Sequence, residues 1–301
     1  MNKIVKPVQT SSSRIETSKF KQFMRRLLKS KTGTVGLIIV VFAIFIAVCA
    51  PFLTNHDPAY ADMTSRLIPP FWLEGGTLTH PLGTDNLGRD VLSRILYGSR
   101  VSLLVGISSV ILAGAIGMFF GLIAGYFGKV TDFIIMRTVD SFLAIPNILF
   151  MLIVLAVLGP SLLTLILVLG GTSWVVYARM VRGETLSVKE RDYVRSARAI
   201  GSNNFRIMSR YILPNVMSSF IVISTLNVAT NIILESSLSF LGLGIQPPDV
   251  SWGLMLSDGR EYIATSWWVA TFPGLAITIT VLGVIFLGDL LRDVLDPRIK
   301  D

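Results

Sequence analysis

The sequence contains apolar runs that are long enough to cross a lipid bilayer. The first, residues 35–53, has no charged side chain, and about 20 apolar residues are needed for a helix to span the hydrocarbon core. Apolar residues make up 52% of the 301 residues and charged residues only 15%, whereas a soluble domain carries about 25% charged residues. The chain is therefore predicted to be an integral membrane protein rather than a soluble enzyme.

Six runs of this kind predict an all-α bundle with six transmembrane helices. They cover residues 35–53, 101–127, 141–159, 161–178, 214–241 and 268–290. Pro146 is expected to kink the third span, since proline removes a backbone donor and clashes with the preceding turn. The organisation that follows is a tail over residues 1–34, a first span, a polar loop over 54–100, a five-helix core over 101–290 and a tail over 291–301.

A basic amphipathic helix is predicted before the first span. Over residues 18–31 the apolar side chains recur with helical spacing and lysines and arginines fill much of the remaining surface, a pattern typical of a helix lying in the membrane interface. The alternative is that this segment extends the first span, but Thr32, Gly33 and Thr34 are expected to interrupt it. The apolar run is too long and begins too late for a cleaved signal peptide, so an uncleaved anchor is predicted.

The placement of lysine and arginine predicts the orientation. Segments 1–34, 128–138, 179–213 and 291–301 hold 22 of the 27 Lys and Arg residues, and segments 54–100 and 242–267 hold the other 5. Positive charge accumulates in cytoplasmic loops. Both termini and the 179–213 loop are therefore predicted to be cytoplasmic, and the 54–100 loop to be extracytoplasmic.

Helix packing within the membrane is predicted from the glycines of the second span. Gly117, Gly121 and Gly125 follow one another at four-residue intervals, and small residues at this spacing allow two transmembrane helices to approach closely.

The polar, basic segment 190–215 separates two apolar runs and has an unusual order of residues. Small side chains come first, Gly201 then breaks the helical pattern, and Pro214 opens the next apolar run. Glycine permits a sharp turn, and proline suits the first turn of a helix because its missing N–H is not needed there. The predicted shape is a helix, an elbow, a second helix and then a membrane span.

This segment resembles the EAA loop of the permease subunits of ABC importers, in which a Glu-Ala-Ala element is followed by a glycine and later by Leu-Pro. The matching residues are Ala197, Gly201, Leu213 and Pro214. Arg195 stands at the glutamate position and Ser196 at the first alanine, so the match is partial. A cytosolic linker without a docking role is the alternative. The resemblance implies ATPase-coupling roles for Arg195, Ser196, Ala197, Ala199, Gly201, Leu213 and Pro214.

Three further blocks resemble the C-type permease subunit of the peptide/nickel branch of these importers. They are residues 80–94 (HPLGTDNLGRDVLSR), 237–248 (SLSFLGLGIQPP) and 287–298 (LGDLLRDVLDPR). The resemblance implies a type I importer permease in the cytoplasmic membrane of a bacterium or archaeon. It also implies a second homologous permease, two cytosolic ABC ATPases that bind ATP and magnesium, an extracytoplasmic solute-binding protein, and short peptides or a related solute as cargo.

The fifth span carries a polar stripe, and two interpretations of it remain open. Its members, spaced by three and four residues, are Ser224, Asn227, Asn231 and Glu235. That spacing places them on one helix face, and polar groups facing lipid are costly. The stripe could line the translocation pathway, with Glu235 binding a substrate amine or pairing with the partner permease, or it could form hydrogen bonds between helices.

Other function classes lack the residues that they need. The chain has no Walker-type phosphate-binding sequence, so we expect no cofactor and no ATP hydrolysis in this chain itself, and no clustered catalytic set predicts an enzyme. The single cysteine and the two histidines, His56 and His80, predict no metal site. The basic segments flank membrane spans, so no nucleic-acid partner is expected. A self-contained secondary transporter or channel is the main alternative, but it predicts midplane ionisable residues and inverted repeats.

Overall fold

A computed structural model describes residues 30–54 and 56–295 of the chain. Ten α-helices are present in this part of the protein: α1 Lys31–Leu53, α2 Val91–Phe127, α3 Lys129–Leu143, α4 Asn147–Leu158, α5 Leu162–Lys189, α6 Asp192–Ala199, α7 Asn204–Ile207, α8 Leu213–Phe240, α9 Trp252–Gly259 and α10 Trp268–Leu295. A π-helical turn, Met208–Ile212, joins α7 to α8, and Met63–Ser65 and Arg260–Tyr262 are 3₁₀ turns.

The expected all-α membrane architecture is confirmed. Five helical stretches are long and apolar enough to cross a bilayer, and a bent pair of helices makes a sixth. We call the end of the bundle that carries residues 128–132 and 189–213 the basic end, and the end that carries residues 56–90 and 241–267 the loop end. Helices α2 and α10 run from the loop end to the basic end, and α1 and α8 run in the opposite direction.

The predicted third span is broken rather than kinked. Helices α3 and α4 meet at an angle of 85° across the break at residues 144–146. The residue before a proline is disfavoured in the helical conformation, which explains why α3 ends at Leu143 and α4 begins directly after Pro146. Helix α4 has 12 residues and is about 18 Å long at 1.5 Å per residue. It is therefore too short to cross the bilayer alone.

The first span begins earlier than expected. Helix α1 starts at Lys31, with the Ser30 hydroxyl accepting a hydrogen bond from the Gly33 N–H at 3.2 Å. The predicted interruption at residues 32–34 is wrong: the helix continues through them because Gly33 packs tightly on Leu290 of α10, where a Cβ would come within 2.6 Å of the leucine Cβ. Most of the predicted interface helix over 18–31 lies outside the described residues.

Several other predicted boundaries shift because helices continue beyond the apolar runs. The short helix expected near the end of the 54–100 loop is the beginning of α2, a single helix of 37 residues whose N-terminus is capped by Asp90. Helix α5 extends to Lys189 and α10 to Leu295. The segment expected to be a loop over 242–267 contains α9, which packs against α8 and α10.

The close packing predicted for the glycines of α2 is confirmed. A Cβ on Gly117 would lie 2.3 Å from the Cβ of Tyr177, one on Gly121 would lie 2.7 Å from the Cβ of Val181, and Gly125 meets α5 in the same way. Only a hydrogen atom fits at these positions. We call this contact between Gly117, Gly121, Gly125 and α5 the glycine seam.

A buried ion cluster fixes α9 at the loop end. Arg89 donates to Asp85 at 2.7 Å and to Asp258 of α9 at 2.9 Å. Arg94, whose side chain is 1% exposed, donates to the same two carboxylates. Two arginines and two aspartates balance in charge, which makes their burial tolerable because every ion has partners of opposite sign.

We expect Gly117→Ala to destabilise the protein by about 1–3 kcal/mol, because the new methyl group overpacks the glycine seam. Gly171→Ala is the matched control: no neighbour lies within 4 Å of a Cβ at this position in α5, so this change should be neutral or slightly stabilising. Thermal unfolding of the two purified variants in the same detergent measures the difference. Equal unfolding midpoints would contradict the seam as a determinant of stability.

Candidate coupling segment and polar interior

Residues 190–213 form a compact turn-rich segment at the basic end. Helix α6 ends in a Schellman motif, in which the N–H of Gly201 bonds to the Arg198 carbonyl at 3.0 Å and the N–H of Ser202 bonds to the Ala197 carbonyl at 3.1 Å. Gly201 has φ +82°, and a Cβ there would meet no atom within 4 Å. The backbone conformation, rather than lack of space, therefore requires glycine at the elbow.

One side of the segment is built into the protein. Val194 and Ala197 of α6 are buried, as are Ile207, Ile212 and Val216 further along the chain. All of these except Ala197 belong to one apolar cluster that also includes residues of α2 and α5. Burying a side chain of this size contributes about 1.5–3 kcal/mol, so the segment is part of the folded core and not a free linker.

The other side of the segment is open and unexpectedly apolar. Ile200 is 82% exposed and Phe205 is 73% exposed, one on each side of the elbow. The predicted contact residues Arg195, Ser196 and Ala199 are exposed on the same segment. Analysis of the sequence missed Ile200 and Phe205, although two large apolar side chains in an otherwise polar island were a detectable signal.

Arg195, the residue that departs from the Glu-Ala-Ala pattern, has a partner within the chain. Its guanidinium donates to Glu190 at 2.6 Å. This hydrogen bond, together with the positive charge of Arg195, lowers the pKa of the Glu190 carboxyl. Both side chains are exposed, so the pair is screened by solvent and salt. It sets the local charge pattern of α6 and contributes little to stability.

The segment is tied to the end of α2 by polar contacts. The Tyr126 hydroxyl donates to Asn204 at 2.7 Å, and the Arg198 guanidinium lies 5.6 Å from the centre of the Tyr126 ring. Lys189 donates to the Gly125 carbonyl at 2.8 Å. The Tyr126 contacts join both halves of the segment to the helix that carries the glycine seam, and the Lys189 contact joins the end of α5 to the same helix.

The connection to α8 is continuous. Residues 204–240 form one helical stretch in which the π-helical turn Met208–Ile212 leads directly into α8. Pro214 occupies the first turn of α8, as the sequence predicted. Leu213 begins that helix and is half-buried, whereas Pro214 is exposed. A displacement of the elbow would therefore move α8 as well, because no flexible joint separates them.

The polar stripe of α8 divides into two halves with different surroundings. Asn231 and Glu235 are fully buried. Asn231 donates to Ser109 of α2 at 2.8 Å. Glu235 accepts hydrogen bonds from Ser239 at 2.8 Å and from Ser102 of α2 at 3.2 Å. The contacts with Ser109 and Ser102 are interhelical hydrogen bonds of the kind that the second interpretation describes, whereas the Ser239 contact lies within α8.

Glu235 lies where three helices meet. The neighbouring Ser236 donates to it at 3.3 Å, and Ser102 also accepts from the Trp252 N–H of α9 at 3.4 Å. The Glu235 carboxylate thus connects α8 to α2 and, through Ser102, to the start of α9. Every donor to it is a neutral hydroxyl, and no ion pair is made by Glu235 within residues 30–54 and 56–295.

The other half of the stripe is less enclosed. Asn227 is half-buried and donates to the Ile223 carbonyl of its own helix at 3.0 Å. The hydroxyl oxygens of Ser224 and Tyr177 are buried without a hydrogen-bond partner. Tyr177 of α5 lies close to Ser224 and Asn227. This group has unused hydrogen-bonding capacity inside the bundle, which the sequence could not locate because Tyr177 comes from another helix.

The predicted lack of a metal site remains a prediction about the whole chain. In the part of the chain that the structure describes, no group of three or more His, Cys, Asp or Glu side chains is arranged to hold a metal ion. His56 and His80 do lie near each other, with ring centres 5.2 Å apart, and His80 contacts Asp90 at 3.0 Å.

Comparison with known proteins identifies the family. The model of the binding-protein-dependent transport system inner membrane component matches residues 117–301. The model of the N-terminal TM domain of oligopeptide transport permease C matches residues 18–70.

Full-length relatives agree with these matches. The dipeptide transport system permease protein DppC of Escherichia coli is 43% identical over 96% of this chain and 96% of its own length. The di/tripeptide transport system permease protein DppC of Pseudomonas aeruginosa is 38% identical over 100% of this chain and 99% of its own length.

A solved structure shows the same fold. One chain of an inward-facing structure of the MetNI methionine ABC transporter superimposes with a TM-score of 0.54 at 19% identity, covering 67% of this chain and 96% of that one. The apolar helices and these relatives place the protein in the inner membrane with several spans. The chain belongs to the inner-membrane permease components of binding-protein-dependent ABC transport systems, with an N-terminal region of the oligopeptide permease C type.

Proposed function

We propose that this protein is one of two homologous permease subunits of an importer for short peptides. Relatives that match nearly its full length are dipeptide and di/tripeptide permeases. In this proposal an extracytoplasmic solute-binding protein delivers the peptide to the loop end, and two ABC ATPases act at the basic end. The chain itself is non-catalytic, and the ATPases bind ATP and magnesium.

The observation that carries the coupling role is the exposed apolar pair beside the elbow. Ile200 and Phe205 project from a segment whose opposite side is buried. Large exposed apolar side chains rimmed by polar residues mark protein interaction sites. We assign them, with the exposed residues Arg195, Ser196 and Ala199, to the surface that enters a groove of the ATPase.

Force applied to this surface has a continuous route into the membrane. The segment is joined to the end of α2 through Tyr126, and it continues into α8 without a break. The glycine seam holds α2 against α5. Closure of the ATPases would therefore rotate these three helices together, a rigid-body form of alternating access.

Purification of the tagged chain from its native membrane tests the proposal. We expect a second permease and two ABC ATPase subunits to co-purify, and uptake of the dipeptide Ala-Ala by the reconstituted assembly to require ATP and the solute-binding protein. A self-contained transporter or channel would instead move the dipeptide as a single chain. ATP-independent uptake by the purified chain alone would refute the importer function.

The elbow is tested by Gly201→Arg with Gly201→Asn as its control. Both residues must adopt the left-handed backbone conformation, which asparagine tolerates best among non-glycine residues, and a Cβ at this position meets no atom within 4 Å. The arginine variant should insert normally and lose ATP-dependent uptake because its long side chain obstructs ATPase docking. The asparagine variant should keep most of its uptake. Normal uptake by the arginine variant would count against the coupling role.

The Glu235 junction is tested by Glu235→Gln. The amide replaces an acceptor oxygen with a donor among serine hydroxyls, so a loss of about 1–3 kcal/mol in stability is expected, with reduced uptake. The control is Glu261→Gln, since the Glu261 side chain is 73% exposed. Thermal unfolding of the purified assembly and uptake assays measure both. If Glu235→Gln leaves stability, assembly and uptake unchanged, neither a packing role nor a pathway role for Glu235 survives.

A further inference from the structure

Three consecutive apolar side chains are exposed in the loop between α1 and α2. Phe71 is 51% exposed and Trp72 48%, and Leu73 beside them is exposed as well. They lie on a turn that backbone hydrogen bonds hold in place: the Phe71 N–H donates to the Pro81 carbonyl at 3.3 Å, and the Leu73 N–H to the Pro70 carbonyl at 2.9 Å. The protein therefore presents these three side chains on a defined surface. We call residues 71–73 the apolar turn.

A row of aromatic rings joins the apolar turn to the beginning of α10. The Phe71 ring centre lies 5.0 Å from that of Trp72, and Trp72 lies 6.0 Å from Phe272 with the two rings nearly perpendicular. Phe272 lies 5.7 Å from Trp267, directly before α10. Aromatic rings prefer tilted and edge-to-face contacts of this kind. The row therefore fixes the height of the apolar turn relative to the span that α10 forms.

The length of α10 indicates how deep that height is. At the basic end the helix carries exposed charges at Asp289 and Arg292, which are 17 and 20 positions after Phe272. At a rise of about 1.5 Å per residue these intervals are about 25–30 Å, and the hydrocarbon core of a bilayer is about 30 Å thick. Exposed charges are costly within that core. With the charges at one boundary of the core, Phe272 and the Trp72 ring lie at or just inside the other, where tryptophan is enriched.

The aromatic row lies at the upper end of an outward apolar face of α10. Leu275, Ile279 and Leu282 are exposed, and their spacing of four and three places them on one side of the helix. Gly288 packs against Leu226 of α8 and is half a turn away from Ile279 at 100° per residue. This face is therefore directed away from α8, and the apolar turn continues it beyond the end of the helix.

Trp72 differs from two other tryptophans at the loop end in the partner of its indole N–H. The Trp252 N–H donates to the Ile95 carbonyl at 2.9 Å, and the Trp268 N–H donates to the Thr84 carbonyl at 3.1 Å. The Trp72 N–H has no acceptor among residues 30–54 and 56–295. An apolar ring with a free N–H suits the level of the lipid headgroups, where ester carbonyl and phosphate oxygens accept hydrogen bonds.

We propose that the apolar turn is a membrane anchor that inserts into the lipid leaflet at the loop end. Phe71 and Leu73 contact the upper part of the acyl chains, and the Trp72 N–H donates to a headgroup oxygen. The loop over residues 54–100 thus returns to the bilayer between α1 and α2 and does not lie entirely outside it. At the base of the turn the Leu67 N–H donates to the Asp85 carbonyl at 3.1 Å. The anchor therefore also holds the buried ion cluster at a fixed height above the lipid.

Spin-label depth measurements test the anchor, since Cys49 is the only cysteine in the sequence. In a Cys49→Ser background a single cysteine is introduced by Leu73→Cys in the turn, by Ile279→Cys on the outward face of α10, or by Glu261→Cys. The Glu261 side chain is charged and 73% exposed, so its position is the standard for water. Each chain carries a nitroxide and is reconstituted with cysteine-free partners in phosphatidylcholine vesicles. Paramagnetic resonance then compares collisions with oxygen, which concentrates in lipid, and with a water-soluble nickel chelate.

We expect the ratio of oxygen to nickel collisions at Leu73→Cys to be severalfold higher than at Glu261→Cys and lower than at Ile279→Cys. A further Trp72→Ala change should lower the Leu73→Cys ratio, because the indole no longer holds the turn in the leaflet.

Three results would overturn the anchor. A Leu73→Cys ratio equal to that at Glu261→Cys would place the turn in water. Few collisions with either reagent would mean that another subunit covers it. Loss of the oxygen collisions when the solute-binding protein is added would assign the turn to that protein instead of to lipid. An unchanged ratio after Trp72→Ala would contradict the role given to the indole.

Discussion

The arrangement of this permease depends on the contact between α2 and α5 at the glycine seam. Lipid chains are as apolar as leucine, so helices in a membrane associate through close packing and hydrogen bonds rather than through the hydrophobic effect. A Cβ at Gly117 or Gly121 would overlap α5, which shows how near the two backbones lie. The seam brings Tyr126 to the position where it holds Asn204 of the segment 190–213, and it brings Gly125 to the Lys189 end of α5, directly before that segment. The packing of α2 against α5 inside the membrane therefore determines where the exposed surface of the segment 190–213 lies.

Hydropathy was sufficient to predict the helical bundle, and the positions of Gly201 and Pro214 were sufficient to predict the elbow, because these features follow from local composition and backbone conformation. Helix ends were harder to predict. Helix α1 runs through residues 32–34 and α2 begins at Val91, because packing partners and caps determine where a helix begins. The break before Asn147 exceeded the expected kink, since the sequence does not specify the angle between two helices.

The polar stripe illustrates what spacing can and cannot establish. Periodicity correctly placed Asn231 and Glu235 on one face, but the direction of that face depends on neighbours distant in sequence, such as Ser109 and Ser102. The sequence did not identify Ile200 and Phe205 as contact residues, because the exposure of two apolar side chains in a polar loop depends on the fold.

The exposure of Ile200 and Phe205 also bears on the life of the subunit before assembly. A chain made without its partners presents two large apolar side chains to water at the membrane surface, the type of surface that chaperones and proteases recognise in unfinished proteins. We therefore expect unassembled copies to be degraded faster than assembled ones, which pulse–chase labelling with and without the partner genes would measure. The same two side chains would then help to keep the amounts of the subunits matched.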